Sequence, residues 1–393
     1  MLKFLFFFSF LIVFYSYIGY GILIYLLVKL RSVFSKQTEV PQLLDFVPEV
    51  TLLVSAYNEA EIIERKIRNS LDLDYPPGKL KWVFITDGST DETPGIIRKY
   101  NNILLLHQPE RKGKVAAMNR AIKYVETPYV IFNDANTLLN PASVREILKH
   151  YGDPRVGGVA GEKKIISGKK DKAVGAGEGI YWKYESLLKK LDSEFYSVVG
   201  AAGELFSVKT SLFHEAAPDT IIEDFVQSLQ ICMEGYVIRY EPNAFATETA
   251  SLSIREEQKR KVRIAAGAFQ AMWILKGLLN VFRYPALSFQ YISHRVLRWT
   301  LCPLCLFVFF ISNAFLVYYK AGRYYEVVFP LQIVFYAMAG MGWIFAGRNL
   351  KIKAFYIPYY FMFMNLSVFI GFYRFIRKKQ TVIWEKASRS SGP

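Results

Sequence analysis

The sequence predicts an α/β domain built on a mostly parallel sheet and flanked by membrane helices. Short apolar runs alternate with helical patterns from Val50 to Asn133, and polar residues follow three of those runs immediately. Long uncharged segments stand toward both ends of the chain and not inside this region.

Phe4 to Val28 carries no charge and is long enough for the roughly 20 apolar residues that a bilayer-spanning helix needs. It is too long for the core of a secretory signal and no small-residue cleavage site follows, so it reads as a retained anchor within a membrane helix at 1–30. A basic linker at 31–49 leads into the α/β domain, assigned to 50–253. There Val50 to Ser55 (VTLLVS) reads as a strand ending at Tyr57-Asn58-Glu59. Ile62, Ile63, Ile67 and Leu71 follow at the spacing of one helical face. Trp82 to Thr86 is a second strand, stopped by the turn signal Asp87-Gly88-Ser89. Asp91 to Tyr100 reads as helix, Ile103 to His107 as strand and Lys114 to Val125 as helix. Tyr129 to Asn133 is a fourth strand, ending at Asp134. Open α/β sheets bind ligands beyond the carboxyl ends of their strands, so residues 57–59, 87–89 and 134–136 are expected to share one site.

Ile254 to Phe282, inside a region assigned to 254–298, mixes basic and apolar residues at helical spacing and suits an amphipathic helix on a membrane surface. Trp299 to Tyr319, Val327 to Ala346 and Ala354 to Tyr373 read as about three further spans within 299–376, followed by a basic tail at 377–393. Lys29, Arg31 and Lys36 after the first span, with Arg295 and Arg298 before the second, place the middle domain in the cytosol of a multi-pass plasma-membrane protein. Three later spans then put the C-terminus outside, whereas Arg374, Arg377, Lys378 and Lys379 favour the inside. Either the charge rule fails here or one stretch lies in the interface without crossing.

A formal net charge of +15, in a chain that is 52% hydrophobic and 21% charged, fits contact with anionic membrane lipids and a phosphorylated ligand. Nucleic acid is excluded as a partner because the basic residues are dispersed or juxtamembrane and no recognition motif accompanies them. Cys302 and Cys305 sit one turn apart inside a span without the second pair of a zinc site, and Cys232 stands alone. The histidines (His107, His150, His214, His294) show no ligand spacing.

Ser55 to Glu59 (SAYNE), Asp87-Gly88-Ser89, Lys112-Gly113-Lys114 followed by Asn119, Asp134-Ala135-Asn136, Glu223-Asp224 and Gln258 to Arg263 (QKRKVR) occur in one order. That ordered set resembles the family 2 glycosyltransferases, nearest the membrane-bound branch that includes cellulose, hyaluronan and poly-N-acetylglucosamine synthases. The resemblance covers about Val50 to Gly267 and the flanking spans. It implies a GT-A fold, a UDP-sugar donor, a divalent metal (Mg²⁺ or Mn²⁺), inversion at the anomeric carbon and a lipid-linked or glycan acceptor, with room for an accessory subunit. It places Ala56, Tyr57, Glu59, Asp87, Gly88 and Ser89 around the nucleotide, and Lys114, Asn119 and Asp134 around the donor diphosphate. Asp134 and Asn136 fall at the metal position, and Gly200, Gly203, Gln258, Arg260 and Arg263 at the acceptor and diphosphate. Asp224 falls at the general base, with Glu223 beside it.

Physical chemistry supports several of these assignments. A carboxylate directly after a strand suits a hard cation that takes its other ligands from phosphate and water. The Lys112-Gly113-Lys114 helix start suits phosphate, and a positioned carboxylate can remove an acceptor proton. Two departures matter. The metal motif ends in Asn136, which keeps a carbonyl oxygen but lacks a charge, and Arg263 is followed by Ile264 where processive relatives carry Trp. The product is therefore either an extruded polysaccharide or a single sugar on a lipid carrier. A non-catalytic nucleotide-binding component of an export system is the alternative that Asn136 permits. Pure transport is disfavoured, because charges lie only at the ends of the spans.

Overall fold

A computed structural model of the chain describes residues 1–34, 46–166, 174–249, 254–348, 350 and 352–379. Lys36, most of the linker and the end of the basic tail lie outside the described residues. The chain divides into two compact units, one built from Met1–Leu30, Lys169–Leu188 and Ser253–Gln380, the other from Arg31–Gly168 and Lys189–Leu252.

The second unit holds the sheet. Its strands are β1 (Val50–Ala56), β2 (Leu80–Asp87), β3 (Ile103–Gln108), β4 (Tyr129–Asp134), β5 (Leu138–Leu139), β6 (Val156–Ile166), β7 (Leu205–Lys209) and β8 (Val237–Thr249). They stand in the order β3-β2-β1-β4-β7-β6-β8-β5. β1 pairs in parallel with β2 and β4, and β2 with β3, as the strand–helix alternation predicts. β1 is apolar except for Thr51 and Ser55 and almost wholly buried: Val50, Leu52 and Val54 lie in one core with Ile63 and Ile67 of the Ile63–Leu71 helix. The register pairs Ser55 with Ile85 and with Asp134, so β1, β2 and β4 end at one level and their following loops form a common rim. β7 runs antiparallel between β4 and β6, pairing Leu205 with Asn133. The loop ahead of β7 thereby reaches the same rim.

The sequence pattern did not reveal β5 to β8. β6 opens with Gly157, Gly158 and Gly161, which break the apolar pattern but are needed for close packing: a Cβ on Gly158 would come within 2.8 Å of the Ser207 carbonyl oxygen. The helix expected over Asp91 to Tyr100 is confined to Thr93–Ile97, and that expected over Lys114 to Val125 closes at Ala121 with a 3₁₀ turn, Ile122–Tyr124.

In the first unit, four helices are long and apolar enough to cross a membrane: Leu2–Phe34, Leu301–Tyr318, Arg323–Gly347 and Lys353–Ile376. They match the four predicted spans, and the first continues into the region read as linker. The predicted amphipathic segment is helical over Ile254–Ile274 and ends in a 3₁₀ turn, Lys276–Leu279. Arg295 and Arg298, read from sequence as topology signals, both pair with the buried Glu185 carboxylate. Burial acts to raise the Glu185 pKa, but Arg298, His294 and Arg295 outweigh it and hold the carboxyl well below its usual range.

Candidate active site

The rim loops are stitched together by their own polar groups. The Asn58 backbone N–H donates to Ser89 Oγ at 3.1 Å, and the Asn58 side-chain oxygen accepts from the Thr90 N–H at 2.8 Å. The Glu59 N–H donates to Thr93 Oγ1 at 2.8 Å and the Ala60 N–H to Asp91 Oδ2 at 3.1 Å. Asn58 sits at φ 52°, a left-handed conformation that Asn tolerates, and this turns the chain sharply off β1. The Ala135 N–H donates to the Ser55 carbonyl at 3.1 Å, tying the loop after β4 to the end of β1. Ala56 is the buried last residue of β1.

Asp87 organises the next loop. Its carboxylate accepts from the Lys112 N–H at 3.0 and 3.1 Å and from the Gly113 N–H at 2.6 Å. Those two amides at the helix start are thus occupied by the protein itself. Gly88 lies at φ +67°, and a Cβ on it would come 2.6 Å from Arg111 Cβ, so only glycine lets the two loops touch. The Arg111 guanidinium stacks 3.6 Å from the Tyr57 ring centroid, a contact the sequence reading missed. Asn119, expected near the donor, donates from Nδ2 to the Ala216 carbonyl at 2.8 Å and anchors the Lys114–Ala121 helix to that segment.

Lys114 is the centre of the site. Its Nζ lies 2.9 Å from Asp134 Oδ1 and 3.2 Å from Glu223 Oε1. A Cβ on Gly203 would meet Lys114 Nζ at 3.0 Å and Asp224 Oδ2 at 3.2 Å, so the absence of a side chain there lets the ammonium and both acids converge. Burial acts to lower the Lys114 pKa, but Asp134, Glu223 and Asp224 outweigh it and raise it above the usual ammonium range. Asp224 behaves oppositely. Burial and the Glu223 charge push its carboxyl up to about 7 against the pull of Lys114, with Glu204 adding to the rise. A carboxyl poised near neutrality, one residue from a lysine-bound acid, is suited to take a proton.

Asp134 lies at the end of β4, with Asn136 half-buried two residues on. Among the described residues no group of three or more His, Cys, Asp or Glu is arranged to hold a metal. The Lys114 ammonium against Asp134 shows that this carboxylate accepts a cation here. One carboxylate with one amide oxygen fits a hard cation that brings its remaining ligands as phosphate and water.

Gly200, at φ +88°, is where substitution has the clearest structural cost. A Cβ there would lie 2.0 Å from Phe225 Cδ2, the ring directly following Asp224. Gly200→Ala is expected to destabilise the protein by about 1–3 kcal/mol from overpacking, plus left-handed strain of similar order. Thermal unfolding in detergent, compared with Gly203→Ala, checks this. There the nearest contacts are a flexible lysine tip and a carboxylate, and a smaller shift is expected.

Gln258, Arg260 and Arg263 belong to the other unit, on the Ile254–Ile274 helix. Gln258 is exposed, Arg263 half-buried, and Arg260 lies 3.8 Å from Glu257 within its own helix. The sequence reading also missed Lys66, Asn133 and Glu204 around Asp134. Lys66 was legible, since it falls at helical spacing on the same buried face as Ile63 and Ile67.

Residues 51–215 match the family model described as Glycosyl transferase family 2. The poly-beta-1,6-N-acetyl-D-glucosamine synthase of Staphylococcus aureus (strain COL) is 31% identical over 237 residues, covering 57% of this chain and 55% of that protein. The synthase of the same name from Staphylococcus epidermidis is 25% identical over 295 residues, covering 71% of this chain and 69% of that protein. The chain thus spans about half the length of the S. aureus relatives it matches. Among solved structures, the mannosyltransferase PcManGT from Pyrobaculum calidifontis, in complex with GDP-Man and Mn²⁺, aligns with a TM-score of 0.71 at 21% identity. That alignment covers 96% of this chain and 100% of the other. The fold is of the GT-A type.

Proposed function

We propose that the chain, whose residues 51–215 match the family 2 glycosyltransferase model, is an inverting transferase. It moves an N-acetylhexosamine from a UDP-sugar to a membrane-associated glycan or lipid-linked acceptor. The observation that carries this reading is the convergence of Lys114, Asp134, Glu223 and Asp224 beside Gly203, at the rim where β1, β2 and β4 end. The identity of the sugar rests on the named synthases among the relatives.

Each residue has a distinct task. The Asn58–Ser89–Thr90 stitch and the Asp87 clamp hold the loops that form the nucleotide pocket, with Tyr57 and Arg111 as its aromatic and cationic wall. Lys114 faces the diphosphate and stabilises the negative charge that grows on it as the bond to the anomeric carbon breaks. Asp224 accepts the proton of the acceptor hydroxyl while that oxygen bonds the anomeric carbon from the opposite side. Glu223, held by Lys114, keeps the two acids apart in role: one ion-paired, the other free to cycle a proton. Asp134 and Asn136 would hold a divalent cation, Mg²⁺ or Mn²⁺, which when bound neutralises the diphosphate. Four helices long and apolar enough to cross a membrane support a membrane location, and on this reading the domain faces the cytosol, the side the flanking basic residues favour.

The test is incorporation of label from a panel of UDP- and GDP-sugars by membranes that contain the protein. Transfer from UDP-N-acetylglucosamine into lipid-extractable or polymeric product, absent with GDP-mannose, is the expected result. Transfer from GDP-mannose alone overturns the donor assignment, and transfer from no donor overturns the enzymatic one.

A further inference from the structure

Lys66 lies wholly buried in the middle of the Ile63–Leu71 helix, on the face that otherwise presents Ile63 and Ile67 to the core. A lysine in such a position must satisfy its polar head internally. Its Nζ donates to Asn133 Oδ1 and, at 2.9 Å, to the Thr137 carbonyl. The same network continues on both sides of Asp134. Asn133 Nδ2 donates to Thr137 Oγ1 at 2.9 Å and also to the Glu204 carbonyl. The Thr137 hydroxyl in turn donates to the Asp134 carbonyl at 3.0 Å. One buried lysine thereby braces both ends of the Asp134–Asn136 turn, the residue before it and the residue after. It also ties that turn to Glu204, the neighbour of Gly203 against which Lys114 and Asp224 rest.

We propose that Lys66 is a positioning residue for the cation-binding turn: through Asn133 and Thr137 it fixes the backbone that aims Asp134 and Asn136 at the metal–diphosphate. The need for it follows from Asn136. A second carboxylate in the turn would add a charge that Asn136 lacks. A turn with one carboxylate and one amide depends on being preorganised, because the weaker donor contributes only if it is already in place. Lys66 uses two donors for two acceptors, so the brace holds whether the amine carries two hydrogens or three. Loss of such supporting partners typically lowers metal affinity by about 10- to 100-fold.

This inference rests on the assignment of Asp134 to the donor and its cation, and the experiment separates the two. Mn²⁺ is titrated into purified full-length protein in the presence of UDP, with free Mn²⁺ followed by electron paramagnetic resonance. Wild type, Lys66→Met, Thr137→Val and Asp134→Ala are compared. Thr137→Val is the nearly isosteric second variant, which keeps the test open if the buried Lys66→Met protein does not fold. The expected result is Mn²⁺ binding by wild type, a loss of affinity of about 10- to 100-fold in Lys66→Met and Thr137→Val, and abolition in Asp134→Ala. Transfer by the two brace variants recovers at saturating Mn²⁺, with the KM for donor unchanged there, which a general loss of structure does not produce. Wild-type Mn²⁺ affinity in the folded Lys66→Met protein overturns the role of Lys66, and wild-type affinity in Thr137→Val overturns the Asn133–Thr137–Asp134 relay through which it is proposed to act. Absence of Mn²⁺ binding by wild type, or full binding by Asp134→Ala, overturns the assignment of Asp134 beneath it.

Discussion

The Asp224→Asn protein transfers sugar roughly 10²- to 10⁴-fold more slowly than wild type, the usual worth of a positioned general base. It does so with nearly unchanged affinity for donor. The separation follows from geometry. Asp134 and Glu223 hold the Lys114 ammonium, whereas Asp224 approaches it only across the space left by Gly203. Asparagine preserves the oxygen that accepts the Phe225 N–H at 2.9 Å, so the helix start survives the change. The wild-type pH profile carries the same signature. Burial and Glu223 push the Asp224 carboxyl up to about 7, and a base works only when deprotonated. The value of kcat/KM therefore rises with pH through about 7 and levels off above it. Residual turnover in Asp224→Asn shows no such limb. Steady-state rates from about pH 5.5 to about pH 9 check both statements.

Lys114→Met acts on binding and stability as well as on rate. Removal of the ammonium takes away the cation that Asp134, Glu223 and Asp224 share. Breaking a buried ion pair from one side costs roughly 3–5 kcal/mol. The side chains of Lys114, Asp134 and Glu223 retain 18%, 21% and 11% exposure, so the low end of that range is expected. Lys114 also lowers the pKa of Asp224, so its loss moves the rising limb of the pH profile to higher pH. A higher KM for donor, a lower unfolding temperature and this shift appear together. A change in KM alone marks a lysine that merely touches the ligand.

The parallel part of the sheet was legible in the sequence because strands covered on both faces are continuously apolar and are cut by turn residues, as at Asp87-Gly88-Ser89. β6 and β8 were not. Glycines interrupt the first, and Arg239, Glu241, Pro242 and Asn243 interrupt the second, so neither reads as an apolar run. The polar residues of the rim were legible as types in order, but the partners they take within the protein were not. Asp87 and Asn119 look like ligand-binding polar residues, yet each holds backbone: Asp87 the Lys112 and Gly113 amides, Asn119 the Ala216 carbonyl. Which partner a carboxylate or amide finds depends on loops far apart in sequence, and periodicity carries no information about that. Arg111 over Tyr57 is of the same kind. Gly203 was legible only as a small residue in a loop, while its value lies in the space it leaves between Lys114 and Asp224.

The central claim is that one carboxylate, Asp224, does the chemistry in a site whose other charges hold the donor. Its most direct test is a paired measurement on one preparation of wild type and of Asp224→Asn. UDP affinity is read by calorimetric titration, and UDP release is then followed from the donor that wild type uses. Equal affinity with release lost in the variant is the predicted result. Release at the wild-type rate, or affinity lost in step with release, contradicts it.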